Sequence, residues 1–246
     1  MKETRLIMGM PVTVEVVGGD VSALDIAFNY FRSVDERFST YKTTSEVSRI
    51  NAGEHSHSQY SPEMGEVLQL AEATKQATGG YFDVYTPEGS LDPSGLVKGW
   101  AINNAAKLIR AAGHGNFWVD AGGDIQTSGK NDRNEEWSVG IKNPFNGSEV
   151  VKVIYPRSKG IATSGSYIRG SHIWDPHTGK PVSSDVVSLT VIGPDVYEAD
   201  RFATAAFAMG PEGIQFIESL PGFEGYSIDT KGQATMTSGF VAYTTV

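Results

Sequence analysis

Residues 184–210 read Ser184-Asp-Val-Val-Ser-Leu-Thr-Val-Ile-Gly-Pro-Asp-Val-Tyr-Glu-Ala-Asp-Arg-Phe-Ala-Thr-Ala-Ala-Phe-Ala-Met-Gly210. The character of the chain changes in the middle of this stretch. Residues 184–194 predict a strand, and 197–209 predict a helix ended by Gly210. On that helix Asp200 and Thr204 stand four residues apart, so their side chains stack on one face. A carboxylate and a hydroxyl so arranged suit a hard, oxygen-seeking cation such as Mg2+, which takes few protein ligands and leaves positions for phosphate oxygens. A purely structural reading is also open: Asp200 favours the helix start, and Thr204 bonds back to a carbonyl one turn earlier.

Working outward, Val12, Val14 and Val16 alternate within 9–17 and predict a half-buried strand. Between 22 and 38, Leu24, Ala27, Phe28, Phe31, Val34 and Phe38 recur at three- and four-residue steps. They predict an amphipathic helix with Ser22 as N-cap and Asp25 near its positive end. Residues 39–63 predict loop and short turns. A second helix is expected over 62–78, with Met64, Val67, Leu68 and Ala71 on one face and Gly79-Gly80 as its stop. A third is expected near 97–112, before Gly113. Strands are expected within 115–129, 135–144, 148–158 and 159–170. Helices and strands are interspersed without a regular βαβ repeat, internal duplication or linker. The expected fold class is therefore α+β, with a single domain over 1–246.

Bulk properties narrow the function. The 246 residues carry a net charge of −9, which argues against nucleic acid as the main partner. There is no cysteine, so disulfides, thiolate metal sites and cysteine nucleophiles are out. No stretch approaches the roughly 20 apolar residues of a membrane span, and the first residues lack a signal-peptide run. Read as given, the chain is expected in the cytoplasm; a chain trimmed of a leader would fit a periplasmic or other extracytoplasmic location.

Several other segments carry polar groups that suit a site. Residues 120–129, "DAGGDIQTSG", hold two carboxylates around Gly-Gly, and 162–167, "ATSGSY", follow a strand. Either segment can set backbone amides against a phosphate or form an ordinary tight turn. Neither matches GxxxxGK[ST] or GxGxxG, so the usual nucleotide folds are not expected. Lys98 lies at the expected start of the third helix, where the dipole disfavours it, so it either reaches an anion or is solvated. In 171–181, "SHIWDPHTGKP", Pro176 fixes its φ and Gly179 permits a turn, so His172, Asp175 and His177 stand in a site or at a corner. His55 and His57 lack a clear third ligand and are expected to be exposed. Trp100, Trp118 and Trp137 are expected in the core or lining a cavity.

The succession "MGM", 39–51, "GGYFDV", "DPSGLVKGWA", "DAGGDI", "ATSGSY", "HIWDPHTGKP" and "ADRFATAAFAMG" resembles the ApbE family over essentially the whole chain. These are flavin transferases that move FMN from FAD onto a protein. The resemblance implies a T-fold-related fold of mixed sheets and packed helices, with two lobes around a flavin cleft. It also implies a divalent cation, usually Mg2+, bound by Asp200, Thr204 and the backbone carbonyl of Gly95. Contacts to the flavin nucleotide would come from Met8, Tyr41, Lys98, Asn103, Asp120, Thr163, His172 and Asp175. His172 and Lys98 would be catalytic, and His177 falls where the family varies, hence in loop. Asn103 stands where the family often has Asp, so that contact loses its charge.

The implied activity is Mg-dependent transfer of FMN from FAD to a threonine hydroxyl of an acceptor protein, with release of AMP. The implied partners are FAD and an acceptor with an FMN-binding domain carrying the target threonine. Two alternatives remain: an FAD pyrophosphatase giving FMN and AMP, and a non-catalytic FAD carrier. The segment "GQATMTSG" (232–239) loosely resembles flavinylated acceptor sequences, so self-modification stands beside an ordinary exposed strand.

Overall fold

The computed structural model describes residues 1–166 and 173–245. Strand β1 (Lys2–Ile7) is turned back by Met8 and Gly9, both at positive φ, into β2 (Met10–Val16). The sequence reading missed β1 because it is an edge strand whose charged side chains leave only Ile7 buried. Val12, Val14 and Val16 are fully buried, as their alternation predicts. Helix α1 (Val21–Phe38) follows, capped by Asp20 rather than Ser22. The reason is reach: Asp20 Oδ1 accepts the Ala23 N–H at 3.2 Å, while Ser22 already lies inside the helix and donates its hydroxyl to Asp20.

The region expected as loop contains a short helix, α2 (Glu46–Asn51), capped by the Ser45 hydroxyl. Six residues are too few to display a helical period. Helix α3 (Pro62–Ala77) opens with Ser61 as cap and proline in the first turn. Helix α4 (Ser94–Ala111) begins three residues earlier than expected, because the Pro93 carbonyl already accepts the Leu96 and Val97 N–H groups. Lys98 is therefore in the second turn, beyond the strongest part of the helix dipole, and not at the helix start.

The remaining strands are β3 (Phe117–Ala121), β4 (Asp124–Ser128), β5 (Val139–Asn143), β6 (Asn146–Ile154), β7 (Gly160–Gly165), β8 (Trp174–Asp175), β9 (Lys180–Pro181) and β10 (Val186–Gly193). Helices α5 (Val196–Ala208) and α6 (Gly213–Ser219) precede β11 (Glu224–Asp229) and β12 (Ala234–Met236). Among the described residues eight strands form one sheet in the order β1-β2-β3-β4-β7-β10-β11-β12, and every neighbouring pair is antiparallel. The architecture is α+β, as expected.

The helices cover one face. Phe28, Phe31, Leu96, Ile109 and Phe117 join α1 and α4 to β2 and β3, and Phe202, Phe207, Leu189 and Ile217 join α5 and α6 to β7 and β10. On the other face the β5–β6 hairpin lays Val139, Ile141 and Ile154 against Ile125, Ile161 and Ile192. Central strands are thus buried on both sides, which is why β10 carries apolar side chains toward both faces, Leu189 and Val191 on one and Ile192 on the other. The buried Gln126 side chain fixes α5 by accepting the Val196 N–H at 2.9 Å.

Candidate active site

At one end of the sheet lies a cleft of about 370 Å³. Its walls are the strap Tyr81–Pro87, the start of α4, Gly122, the end of β7, the hairpin around Trp174 and the α5 face bearing Asp200 and Thr204. The two-residue Gly122-Gly123 turn, with φ of 64° and 98°, sets what reaches it. Through that turn Ala121 pairs with Asp124 and Asp120 with Ile125. Cross-strand partners share a face, so Asp124 points to the helix side with Ala121, and Asp120 to the opposite side with Ile125.

Asp124 thereby meets α4. Its Oδ2 lies 2.6 Å from Lys98 Nζ, and its Oδ1 accepts the Thr163 N–H at 3.0 Å. The same ammonium is 3.5 Å from Asp200 Oδ1, while Asp200 Oδ2 accepts the Gly99 N–H at 2.8 Å. Asp124 and Asp200 are 1% and 2% exposed, so both carboxylates are essentially out of water. Beyond the ionic contact with Lys98, Asp124 Oδ2 has no hydrogen-bond donor of regular geometry among the described residues. Among the described residues two buried carboxylates face one ammonium, a surplus of negative charge. Burial pushes the Asp200 carboxyl up to about 7; the Lys98 charge opposes that rise and the Asp124 charge adds to it.

Close approach of α4 and α5 depends on Gly99. A Cβ there would sit 2.6 Å from Asp200 Cβ and 2.9 Å from the Val196 carbonyl. One turn earlier Gly95 faces Thr204, whose Cγ2 would be 3.6 Å from a Gly95 Cβ. Asp200, Thr204, Gly95 and Lys98 therefore line the same cleft. The donors are all oxygen and the charge is in surplus, which suits a hard divalent cation keeping several non-protein ligands. Among the described residues no group of three or more histidine or acidic side chains could hold a metal on its own.

Other predicted residues are more dispersed. Thr163 lines the cleft, and its hydroxyl lies 2.9 Å from that of Thr190. Met8 sits half-buried in the β1–β2 turn beside the helix-side core. Tyr41 is 95% exposed after α1, Asn103 is buried in α4, and neither lines the cleft. Asp120 accepts the Gly123 N–H at 2.9 Å, and burial raises its pKa on the face away from Lys98. Asp175 builds a corner: its carboxylate accepts from His177 N and the Thr178 hydroxyl, and its carbonyl from Gly179 N. His172 lies outside the described residues.

Three features of the site and its surroundings are not reached from sequence pattern alone. Asp124 was visible as the second carboxylate of "DAGGDI", and a two-residue turn with period-two alternation is the signal that separates its face from that of Asp120. Gly99 was visible as a glycine inside a helical pattern, which often marks close packing. For His177 the resemblance implies loop. It does lie in the β8–β9 turn, yet its Nε2 is 3.0 Å from Gly79 O and its ring meets Tyr81 edge-on at 4.4 Å. No spacing rule announces that contact. His57 is exposed and Trp100 and Trp137 are buried, as expected, whereas His55 is half-buried and Trp118 only half-buried against the core on the β5–β6 side.

The sequence profile described as the ApbE family matches residues 8–88 and 85–227. Over 179 residues the chain is 31% identical to the FAD:protein FMN transferases of Klebsiella pneumoniae (strain 342) and Escherichia coli (strain K12). Each match covers 69% of this chain and 51% of the relative, so the chain spans about half the length of those proteins. The structure resembles the flavin transferase ApbE from Vibrio cholerae with a TM-score of 0.86, covering 99% of this chain and 98% of that one at 24% identity. An ApbE protein from Thermotoga maritima gives the same TM-score at 22% identity, covering 100% and 99%. At such identities these two likenesses speak for the fold.

Proposed function

The chain belongs to the ApbE family, and on that premise we propose that it is an FAD:protein FMN transferase. It moves FMN from FAD to a threonine hydroxyl of an acceptor protein and releases AMP. The observation that carries this reading is the buried Lys98–Asp124–Asp200 cluster opening on the cleft beside Thr204.

Asp200, Thr204 and the Gly95 carbonyl would hold Mg2+ or another divalent cation. When bound, such an ion neutralises phosphate charge and stabilises the leaving oxygen. Lys98 lines the cleft and would face the phosphate oxygens of the bound dinucleotide. Thr163 borders the same space, whereas Tyr41, Asn103 and Asp120 stand off it and are assigned no contact there. In the reaction the threonine oxygen bonds to the phosphorus on the FMN side. The bond from that phosphorus to the bridging oxygen breaks, and AMP departs with that oxygen. His172 takes the threonine proton, a role suited to an imidazole whose ordinary pKa is near neutrality.

The test is a nucleotide balance. Protein, FAD, Mg2+ and an acceptor domain carrying a target threonine are incubated, and AMP, free FMN and acceptor-bound flavin are quantified by chromatography. Transfer predicts AMP equal to acceptor-bound FMN. AMP with equal free FMN would make the protein a pyrophosphatase, and retained FAD without AMP would make it a carrier.

A further inference from the structure

The cluster holds two buried carboxylates and one ammonium, and the distances divide them unequally. Lys98 Nζ is 2.6 Å from Asp124 and 3.5 Å from Asp200. Asp124 is fixed independently, because Oδ1 accepts the Thr163 N–H while Oδ2 faces the ammonium. Asp200 is fixed from the other side by the Gly99 N–H. We propose that Asp124 is a positioning residue that acts as counter-ion to Lys98, holding the ammonium away from Asp200 so that the Asp200 charge remains available to a divalent cation. The inference rests on the cation reading given above and adds a role for Asp124, which that reading places in the cluster without assigning it one.

The physical argument is competition. A buried ammonium without its own counter-ion pairs with the nearest remaining carboxylate, because an unpaired charge out of water is costly. With Asp124 neutralised that carboxylate is Asp200. The lysine then occupies the charge a divalent cation requires, and the two cations exclude each other. Asp124→Asn is the informative variant: its amide oxygen still accepts the Thr163 N–H, while the negative charge is gone.

The measurement is Mn2+ binding to the full chain, read by electron paramagnetic resonance of the free ion, with no FAD or acceptor present. Asp124→Asn should raise the apparent Kd for Mn2+ on the order of tenfold or more. Lys98→Met in the same chain should restore binding to near wild type, because the competitor is gone. Unchanged Mn2+ affinity in Asp124→Asn would overturn the proposal. So would failure of the double variant to recover, since Asp124 would then be a direct ligand or a general support of the fold. The wild-type nucleotide balance tests the transferase reading separately: a wild type that moves no FMN would refute that reading while the Mn2+ series still decides the role of Asp124.

Discussion

Single residues decide whether α4 and α5 can share a charge cluster. Gly99→Ala would drive a methyl group to 2.6 Å from Asp200 Cβ. The helices must separate, at a cost of about 1–3 kcal/mol, and denaturant unfolding of the variant should register that loss. Asp200 gives a pH signature. Burial lifts its carboxyl from 3.8 to about 7, so the folded chain keeps a proton that the unfolded chain releases. In the absence of divalent cations, stability should therefore fall as pH rises from about 4 to about 7 and then level off. Melting temperatures across that range should show the slope in wild type and lose it in Asp200→Asn. At this scale the sequence was partly legible. The Asp200–Thr204 spacing reads directly from helical geometry, whereas Lys98 meets Asp124 through a contact 26 positions along the chain that no local period reveals. Asp120 and Asp124 are chemically alike, and only the register of the β3–β4 hairpin separates the two faces.

At the scale of elements, strongly periodic segments were readable and short or capped ones were not. Leu24 through Phe38 announce α1, yet its true cap, Asp20, lies outside the periodic stretch. Helix α2 has six residues, and β8 and β9 have two each, so pattern has nothing to act on. The β8–β9 hairpin holds to the rest of the molecule in part through His177, which reaches Gly79 O and the Tyr81 ring. His177→Ala should therefore raise amide exchange in residues 173–181 while changing global stability by less than about 1 kcal/mol, because the lost contacts are half-exposed. Hydrogen exchange read by mass spectrometry separates that local opening from global unfolding. Residues 232–239 form an edge: Ala234, Thr235 and Met236 of β12 are exposed, while Thr237 is buried against Glu224.

For the whole molecule, interspersed helices and strands gave the fold class, but not the strand order. Neighbours such as β4 and β7 are separated by a hairpin that crosses to the other face, and nothing local in the sequence specifies their pairing. The helix-side core depends on a few large side chains. Phe202 meets Phe216 and Phe223 edge-on and is 5% exposed, so Phe202→Ala should destabilise the chain by about 3–5 kcal/mol in chemical denaturation. The helix-side core and sheet hold Lys98, Asp124 and Asp200 together beside one cleft, and the proposed transfer depends on that arrangement. Its most direct test is the intact mass of an acceptor domain after incubation with this protein, FAD and Mg2+. The account predicts an acceptor heavier by one FMN moiety on a threonine, formed only with the divalent cation and not with Asp200→Ala. An unmodified acceptor whose threonine other family members flavinylate would contradict it.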